Sequence, residues 1–163
     1  MLVVSDTSPI SGLIAIDKVV LLKQLYEIVI IPLGVKEELF KIKSKRIELE
    51  NLFSNDWIKV REITDLQFYN ELKKNLDEGE SQAITLAKEM HADIILIDEI
   101  KGRNIATKAG LNVVGLLGVL VDAKSHGFIT SLKPILDDLI NQYGVWIKPE
   151  LYAAVLTSVN ENL

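Results

Sequence analysis

The chain has 163 residues and a net charge of −5, with 48% hydrophobic and 25% charged residues. This length and composition predict a single domain over residues 1–163, because there is enough apolar material for a core and no Pro-, Gly- or Ser-rich linker. Cysteine is absent, which excludes disulfides, and His91 and His126 are too few for the usual zinc ligand sets. A bound metal must therefore be held by oxygen.

Charge and hydropathy also limit where the protein acts and what it binds. The N-terminal segment has no basic n-region and no run approaches ~18 apolar residues, so we expect a soluble, cytoplasmic protein without a membrane partner. The negative charge argues against nonspecific coating of nucleic acid, which depends on Lys and Arg contacts with phosphates. It does not exclude a nuclease, because divalent cations held by acidic residues supply positive charge at the phosphate.

Short apolar runs alternate with helical patterns in the first half of the chain. The first run ends in Asp6, and Ser8 followed by Pro9 predicts the N-cap and first position of a helix. A second run is stopped by Pro32, and residues at helical spacing follow it. The predicted elements are a strand at 2–4, a helix from 9, a strand at 27–31, a helix carrying Val35, Leu39 and Ile42, a helix at 44–55 and a strand at 57–60.

The second half repeats this alternation and contains the clearest strand. Residues 92–98 form a continuous apolar run of the kind found where both faces of a sheet are covered. The other predicted elements are helices at 65–75, from 77, at 116–125, 131–142 and 150–159, with strands at 112–114 and 145–147. The alternation predicts a three-layer α/β fold, with a central, mostly parallel sheet of four or five strands and helices on both faces.

Two acids stand at the C-terminal ends of predicted strands. Asp6 and Asp98 each follow an apolar strand core, at the edge where sites form in open α/β sheets. An aspartate at such a position also begins turns and caps helices. Neither acid alone therefore indicates a site.

Two further acids lie on helix faces that are predicted to point inward. Glu38 falls three residues after Val35 and four before Ile42, where an isolated carboxylate would be costly. Glu80 extends the apolar stripe of its helix at the N-terminal end, although an acid in a first turn also favours the helix dipole. The helix dipole thus offers an explanation for Glu80 but not for Glu38.

The four acids together predict a site for a divalent cation. Carboxylates that are buried together need a cation to be tolerable, and hard oxygen ligands suit Mg²⁺ or Mn²⁺. Such a site suits phosphodiester hydrolysis, because the cation can generate hydroxide and neutralise a phosphoryl group. The acids that adjoin the four remain alternative ligands, with Glu99 the strongest of them; they are Glu37, Glu78 and Glu99.

Four segments resemble, in chain order, the acidic motifs of PIN domains. They are Ser5-Asp6-Thr7-Ser8-Pro9, Ile31-Pro32 through Val35-Lys36-Glu37-Glu38-Leu39, Gly79-Glu80-Ser81-Gln82-Ala83-Ile84 and Leu96-Ile97-Asp98-Glu99. The resemblance extends to a branch of PIN-like proteins from bacteria and archaea, a domain of unknown function. That likeness rests on Lys101-Gly102-Arg103 and Gly115-Leu116-Leu117-Gly118-Val119-Leu120.

The resemblance implies a ribonuclease of the VapC toxin kind, which depends on Mg²⁺, is often dimeric and is held inactive by a small antitoxin. The implied catalytic residues and metal ligands are Asp6, Glu38, Glu80 and Asp98. Thr7 or Ser8 would orient the first carboxylate or a bound water. Two positions depart from the wider pattern, because Glu80 stands where many VapC toxins have Asp and Leu96 stands where Thr or Ser is common.

Basic residues near the acids are candidates for contact with RNA. Lys101 and Arg103 follow the last acid closely enough to reach a scissile phosphate, although a solvated helix start explains them as well. A second basic cluster could guide an RNA backbone or form one face of an amphipathic helix. It consists of Lys41, Lys43, Lys45 and Arg46.

Other functions are excluded or kept as alternatives. An aspartyl phosphatase would show a second acid two residues after the first, where Ser8 follows Asp6, and no nucleotide-binding glycine motif is present. The alternative is a catalytically inactive PIN-fold module that binds RNA or a protein. Apolar helices at 19–25 and 116–121 predict a homodimer surface, and the acidic pocket suits an Arg or Lys of an antitoxin.

Overall fold

A wholly parallel five-stranded sheet forms the middle of the molecule in the computed structural model, which describes residues 1–163. The strands are β1 (Val3–Ser5), β2 (Val29–Pro32), β3 (Ile58–Arg61), β4 (Ile94–Leu96) and β5 (Val113–Val114). Their spatial order is β3-β2-β1-β4-β5, so the chain proceeds outward on one side of β1 and then returns to its other side. The carboxyl ends of β1 and β4 therefore flank the switch point, where ligand crevices form in such sheets.

Ten helices surround the sheet. They are α1 (Thr7–Ala15), α2 (Val20–Tyr26), α3 (Leu33–Leu39), α4 (Arg46–Phe53), α5 (Leu66–Leu72), α6 (Glu78–Glu89), α7 (Ile100–Lys108), α8 (Leu116–Ser125), α9 (Lys133–Asn141) and α10 (Pro149–Ser158), with a 3-10 turn at Lys43–Lys45. The predicted three-layer α/β arrangement is confirmed. No helix combines the length and hydropathy that a membrane span requires.

The two faces of the sheet belong to separate apolar cores. Successive strand residues point to opposite faces, so Val3 of β1 enters the larger core and Val4 enters the smaller one. The larger core packs residues from α1–α4 and α8–α10, whereas the smaller core packs residues from α5–α7. Val3 and Val4 are both fully buried, as expected in a central parallel strand. The strand is thus packed on both faces directly before Asp6.

Two predictions about local structure are wrong. Ser8 does not cap α1, because the helix begins at Thr7 and Asp6 occupies the N-cap position. Pro9 is tolerated as the third helical residue because N–H groups in the first turn have no partner within the helix. Residues 145–147 do not form a strand; their alternation reflects burial of Val145 and Ile147 around an exposed Trp146, without pairing to the sheet.

The N-terminus of α9 is capped by an acid from a distant part of the chain. The backbone N–H groups of Leu132 and Lys133 donate to the Glu161 carboxylate at 2.6 and 2.8 Å. Burial acts to raise the pKa of Glu161, but these bonds and those from Ser131 and Lys124 lower it to about 2. Leu132 occupies the N-cap position of α9 and has no side-chain oxygen. The Glu161 carboxylate therefore supplies the acceptors for the first N–H groups of this helix.

Candidate active site

Asp6 lies at the switch point and is almost completely buried. It follows β1, and its backbone N–H donates to the carbonyl of Leu96 in β4 at 2.9 Å. The residue is only 3% exposed. Burial raises the pKa of Asp6 to about 7, although the backbone N–H of Thr7 acts in the opposite direction. Three nearby carboxylates add to the increase through their negative charge; they belong to Asp77, Glu80 and Glu38.

The carboxylate of Glu38 reaches the neighbourhood of Asp6 from α3. Its side chain is half-buried, and the Thr7 hydroxyl donates to Glu38 Oε2 at 2.8 Å. Thr7 is itself buried, whereas Ser8 is exposed. The hydroxyl predicted to orient the first carboxylate thus holds the second one, and among the two candidates only Thr7 contacts an acid of the site.

Gly79 marks the point where the elements carrying these groups meet. A Cβ added there would lie 2.6 Å from Glu38 Oε2 and 3.2 Å from Asp6 Oδ1. The same Cβ would lie 3.3 Å from Thr7 Oγ1. The end of β1, the side of α3 and the first turn of α6 therefore converge on a position where only glycine leaves room for the oxygen atoms.

Glu80, the next residue of α6, is buried and fixed by a capping box. Its backbone N–H donates to Asp77 Oδ1 at 2.8 Å, and the Asp77 N–H donates to Glu80 Oε2 at 3.4 Å. The other oxygen, Oε1, is buried without a hydrogen-bond partner. Burial raises the pKa of Glu80, followed by the charge of Asp77, with Glu99 and Glu38 adding to it. One carboxylate oxygen of Glu80 is thus unpaired within the protein.

Asp77 also belongs to this acidic group, although its sequence pattern did not predict it as a site residue. Its negative charge is the largest of the neighbouring charges that raise the pKa values of both Asp6 and Glu80. The signal was present, since Asp77 and Glu80 have the spacing and residue types of a capping box. That pattern predicts a helix start but not that the capping acid faces two buried acids.

Asp98 has different surroundings from the other three predicted acids. Its Oδ1 accepts from the backbone N–H of Leu116 at 2.7 Å, at the start of α8, where the N-cap residue Gly115 has no side chain. Burial raises the pKa of Asp98, while the Leu116 N–H and the charge of Arg103 lower it. Its environment is therefore set by a helix terminus and a cation rather than by neighbouring carboxylates.

The basic residues after Asp98 take two different positions. Arg103 is half-buried, and its Nη1 donates to the carbonyl of Ile97 at 3.0 Å, beside Asp98. Lys101 is exposed. Both Asp98 and Arg103 line a groove of about 600 Å³ between α7, α8 and α10, whose other walls are mostly apolar. The Arg103 guanidinium is thus held close to the Asp98 carboxylate.

A smaller cleft of about 220 Å³ opens onto the convergence point, and no apolar residue lines it. Its walls are Gly34, Glu37, Glu38, Lys41, Asp77, Glu78 and Gly79. The alternative ligands Glu37 and Glu78 belong to this wall. Glu99 does not line it, but its negative charge raises the pKa of Glu80. Lys41 is the one cation of the cleft, whereas Lys45 and Arg46 form ion pairs with the α4 residues Glu48 and Glu50.

The fit of this site to a divalent cation lies in its donor chemistry. As the side chains stand, no three His, Asp or Glu residues are grouped as a metal site requires. The donors are nevertheless oxygen atoms only, and two of the acids have pKa values raised by burial and mutual repulsion. The buried Oε1 of Glu80 has no protein partner. A cation would stabilise the ionised form of this group.

Comparison with known families agrees with the fold. The model of the PIN-domain family DUF3368 matches residues 2–161. A search of curated proteins finds no match. PIN domains are generally nucleases that bind RNA and use divalent metals. Because the match covers nearly the whole chain, the family predicted from the motifs is confirmed, and the protein belongs to the PIN-domain family.

Proposed function

We propose that the protein is an endoribonuclease of the VapC toxin type, which hydrolyses RNA phosphodiester bonds with Mg²⁺ or Mn²⁺. The observation that carries the proposal is the convergence of Asp6 and Glu38 on Gly79, with Glu80 as the next residue. Burial and neighbouring negative charges raise the pKa values of Asp6 and Glu80, and a cation relieves the cost of ionising them. Membership of a family whose members are generally nucleases supports the same function.

In this proposal Asp6, Glu38, Glu80 and Asp98 hold the cation. When bound, a divalent cation lowers the pKa of water and neutralises phosphoryl charge. Thr7 keeps the Glu38 carboxylate turned toward Asp6 through its hydroxyl donor.

The basic residues would contact the substrate. Lys41 lines the cleft and would offer a positive charge to an RNA phosphate. Lys101 is exposed and would offer a second positive charge. Arg103 is held beside Asp98 through the Ile97 carbonyl, so its remaining donors are placed near the carboxyl edge of the sheet.

The proposed role of Asp98 as a ligand can be separated from its role as a helix cap. Asp98→Asn keeps an oxygen that can accept from the Leu116 N–H, so we expect unchanged stability but Mn²⁺ affinity and cleavage lowered by about 10-fold. Asp98→Ala removes the acceptor and should also destabilise the fold by about 1 kcal/mol. Chemical denaturation and calorimetric Mn²⁺ titration check the two effects. Wild-type affinity and cleavage in Asp98→Asn would show that Asp98 is a cap alone.

The experiment that tests the proposed activity uses the purified protein with a labelled single-stranded RNA. Internal cleavage is expected with Mn²⁺ or Mg²⁺ and none with a chelator, while a single-stranded DNA of the same sequence serves as the substrate control. If cleavage returns when Mn²⁺ is added back after chelation, the loss of cleavage in chelator was not caused by irreversible unfolding. Absence of RNA cleavage at every Mn²⁺ concentration would contradict the proposal.

The protein partners proposed for this chain are a small antitoxin and a second copy of itself in the cytoplasm. The acidic cleft suits an inserted Arg or Lys side chain, because acids outnumber its one lysine. Apolar side chains that remain more than 40% exposed, including Val20, Ile100 and Leu151, would be covered in a homodimer. Light scattering that gives the mass of a monomer at all concentrations would contradict the dimer.

A second candidate function is a PIN-fold module that binds RNA or a protein without cutting. Two observations favour it, namely that no three acids are grouped as a metal site requires and that Asp98 is engaged by the N-terminus of α8. Calorimetry separates the candidates, because the module would bind RNA without binding Mn²⁺. The nuclease requires Mn²⁺ binding at the acids and loses it when they are neutralised.

A further inference from the structure

The helices that carry Glu38 and Glu80 are joined by a polar side chain outside the set of acids. α3 begins directly after Pro32, which has no side-chain group that could cap it. The backbone N–H of Gly34, in the first turn of α3, donates instead to Gln82 Oε1 of α6 at 2.9 Å. Gln82 thus caps α3 from another helix.

The space for this contact exists only because residue 34 is glycine. A Cβ at Gly34 would lie 2.8 Å from Gln82 Nε2 and 2.9 Å from both Cδ and Oε1. Gln82 Nε2 donates to Glu78 Oε1 at 3.3 Å, one turn earlier on α6, and this bond keeps the amide oxygen directed at α3. The amide is therefore held from both sides.

A second contact of the same form lies one turn away. Glu38 is four residues after Gly34, and Gly79 is three residues before Gln82, so each pair shares one helix face. Gln82 fills the space beside Gly34, while Glu38 fills the space beside Gly79. Both contacts therefore lie on the interface between α3 and α6, one at each end of the shared helix faces.

We infer that Gln82 is a positioning residue, which fixes the Glu38 carboxylate against Asp6 and Gly79 by holding α3 at a set distance from α6. Its relevance to cation binding and cleavage rests on the proposed function. α3 has only seven residues, so release of its first turn moves the turn that carries Glu38. Gln82 itself is not one of the carboxylates and supplies no ligand oxygen in this role.

The test replaces Gln82 by methionine, which keeps the length of the side chain but removes both hydrogen bonds. We expect Gln82→Met to lower Mn²⁺ affinity, measured by calorimetry, and RNA cleavage, measured in single turnover, by about 10- to 100-fold at temperatures where it remains folded. Gln142→Met is the matched control, because Gln142 makes a similar bond to Asp138 on α9, 2.9 Å long and outside the site. Its Mn²⁺ affinity and cleavage should equal those of the wild type.

A double variant separates positioning from a general loss of packing. Gln82→Glu keeps the acceptor for Gly34 but places two carboxylates side by side at residues 78 and 82. The further change Glu78→Gln lies outside the four proposed ligands and reverses the donor and acceptor between these residues at constant charge. The double variant should therefore recover Mn²⁺ affinity to within about 3-fold of the wild type. If Gln82→Glu and the double variant bind Mn²⁺ equally weakly, the positioning role is wrong.

A crystal structure of Gln82→Met keeps this inference separate from the proposed function. We expect the Thr7–Glu38 hydrogen bond, 2.8 Å long in the wild type, to be broken or lengthened. An unchanged Glu38 position would overturn the inference even if the protein is a nuclease. A displaced Glu38 in a protein that neither binds Mn²⁺ nor cuts RNA would support the positioning role and contradict the nuclease.

Discussion

Replacement of Asp6 by asparagine is expected to lower Mn²⁺-dependent cleavage of RNA by at least ~100-fold while the fold stays as stable or becomes more stable. Asp6 is 3% exposed, and its charge is opposed by burial and by neighbouring carboxylates. Asparagine keeps the shape of the side chain and removes this charge, so the cost of ionisation in the folded state disappears. Cation affinity falls because a ligand charge is lost.

The pH dependence of stability gives a second measurement of the same effect. Asp6 has a pKa of about 7 in the folded protein, above the ordinary value of 3.8, so between these pH values the folded state holds a proton that the unfolded state has released. The contribution of Asp6 to stability is thus complete below about pH 4 and declines by on the order of 4 kcal/mol as the pH rises to 7. Urea denaturation in chelator should show a smaller decline for Asp6→Asn.

Exposed Asp56 provides the control for this variant, since it has no side-chain hydrogen bond. Asp56→Asn should match the wild type in cleavage, in Mn²⁺ affinity and in the pH dependence of unfolding. An Asp6→Asn protein that is less stable than the wild type yet binds Mn²⁺ as tightly would identify Asp6 as a structural acid and remove the main support for the nuclease.

Replacement of Gly79 by alanine is expected to give a folded protein whose RNA cleavage is lower by about 100-fold. Alanine near the start of α6 is acceptable to the backbone and favours the helix by up to ~1 kcal/mol. Its Cβ would nevertheless lie 2.6 Å from Glu38 Oε2, and this flexible carboxylate is the group that moves. The cost to folding is small, but one acid leaves the convergence point and Mn²⁺ affinity falls with it.

Gly110→Ala serves as the control, because it strains the backbone without crowding any side chain. Gly110 follows α7 with a φ of 84°, and no atom lies within 4 Å of an added Cβ. The strained backbone should lower the unfolding free energy by about 1 kcal/mol without affecting cleavage. If Gly79→Ala retains wild-type cleavage and Mn²⁺ affinity, the crowding at residue 79 is irrelevant to function.

Much of the fold could be predicted because strands that are covered on both faces have continuous apolar sequences. The run at 92–98 contains β4, and its end places Asp98 at the carboxyl edge of the sheet, beside the end of β1. The inward position of Glu38 could be predicted because this acid stands at the helical spacing of apolar residues, a pattern contained within one helix. These signals depend only on neighbours within one element.

The rest depends on contacts between elements, which local patterns do not report. The alternation at 145–147 indicates burial on one side but not whether a strand lies alongside to pair with it. Likewise, the contact between Gln82 and Gly34 joins residues 48 positions apart, and nothing local to either indicates the other. The position of Asp98 at the sheet edge follows from its own strand and could be predicted. Its hydrogen bond to Leu116 joins two elements and could not be predicted.

The capping of helices by residues from elsewhere in the chain has a consequence for folding kinetics. The first turns of α3, α8 and α9 receive acceptors from Gln82, Asp98 and Glu161, each 18 or more positions away. None of these helix starts is completed by its own N-cap side chain, so the bonds form only when distant elements have docked. Bonds that form after the transition state chiefly slow unfolding, so we expect removal of any of these three side chains to shorten the lifetime of the native state more than it slows folding.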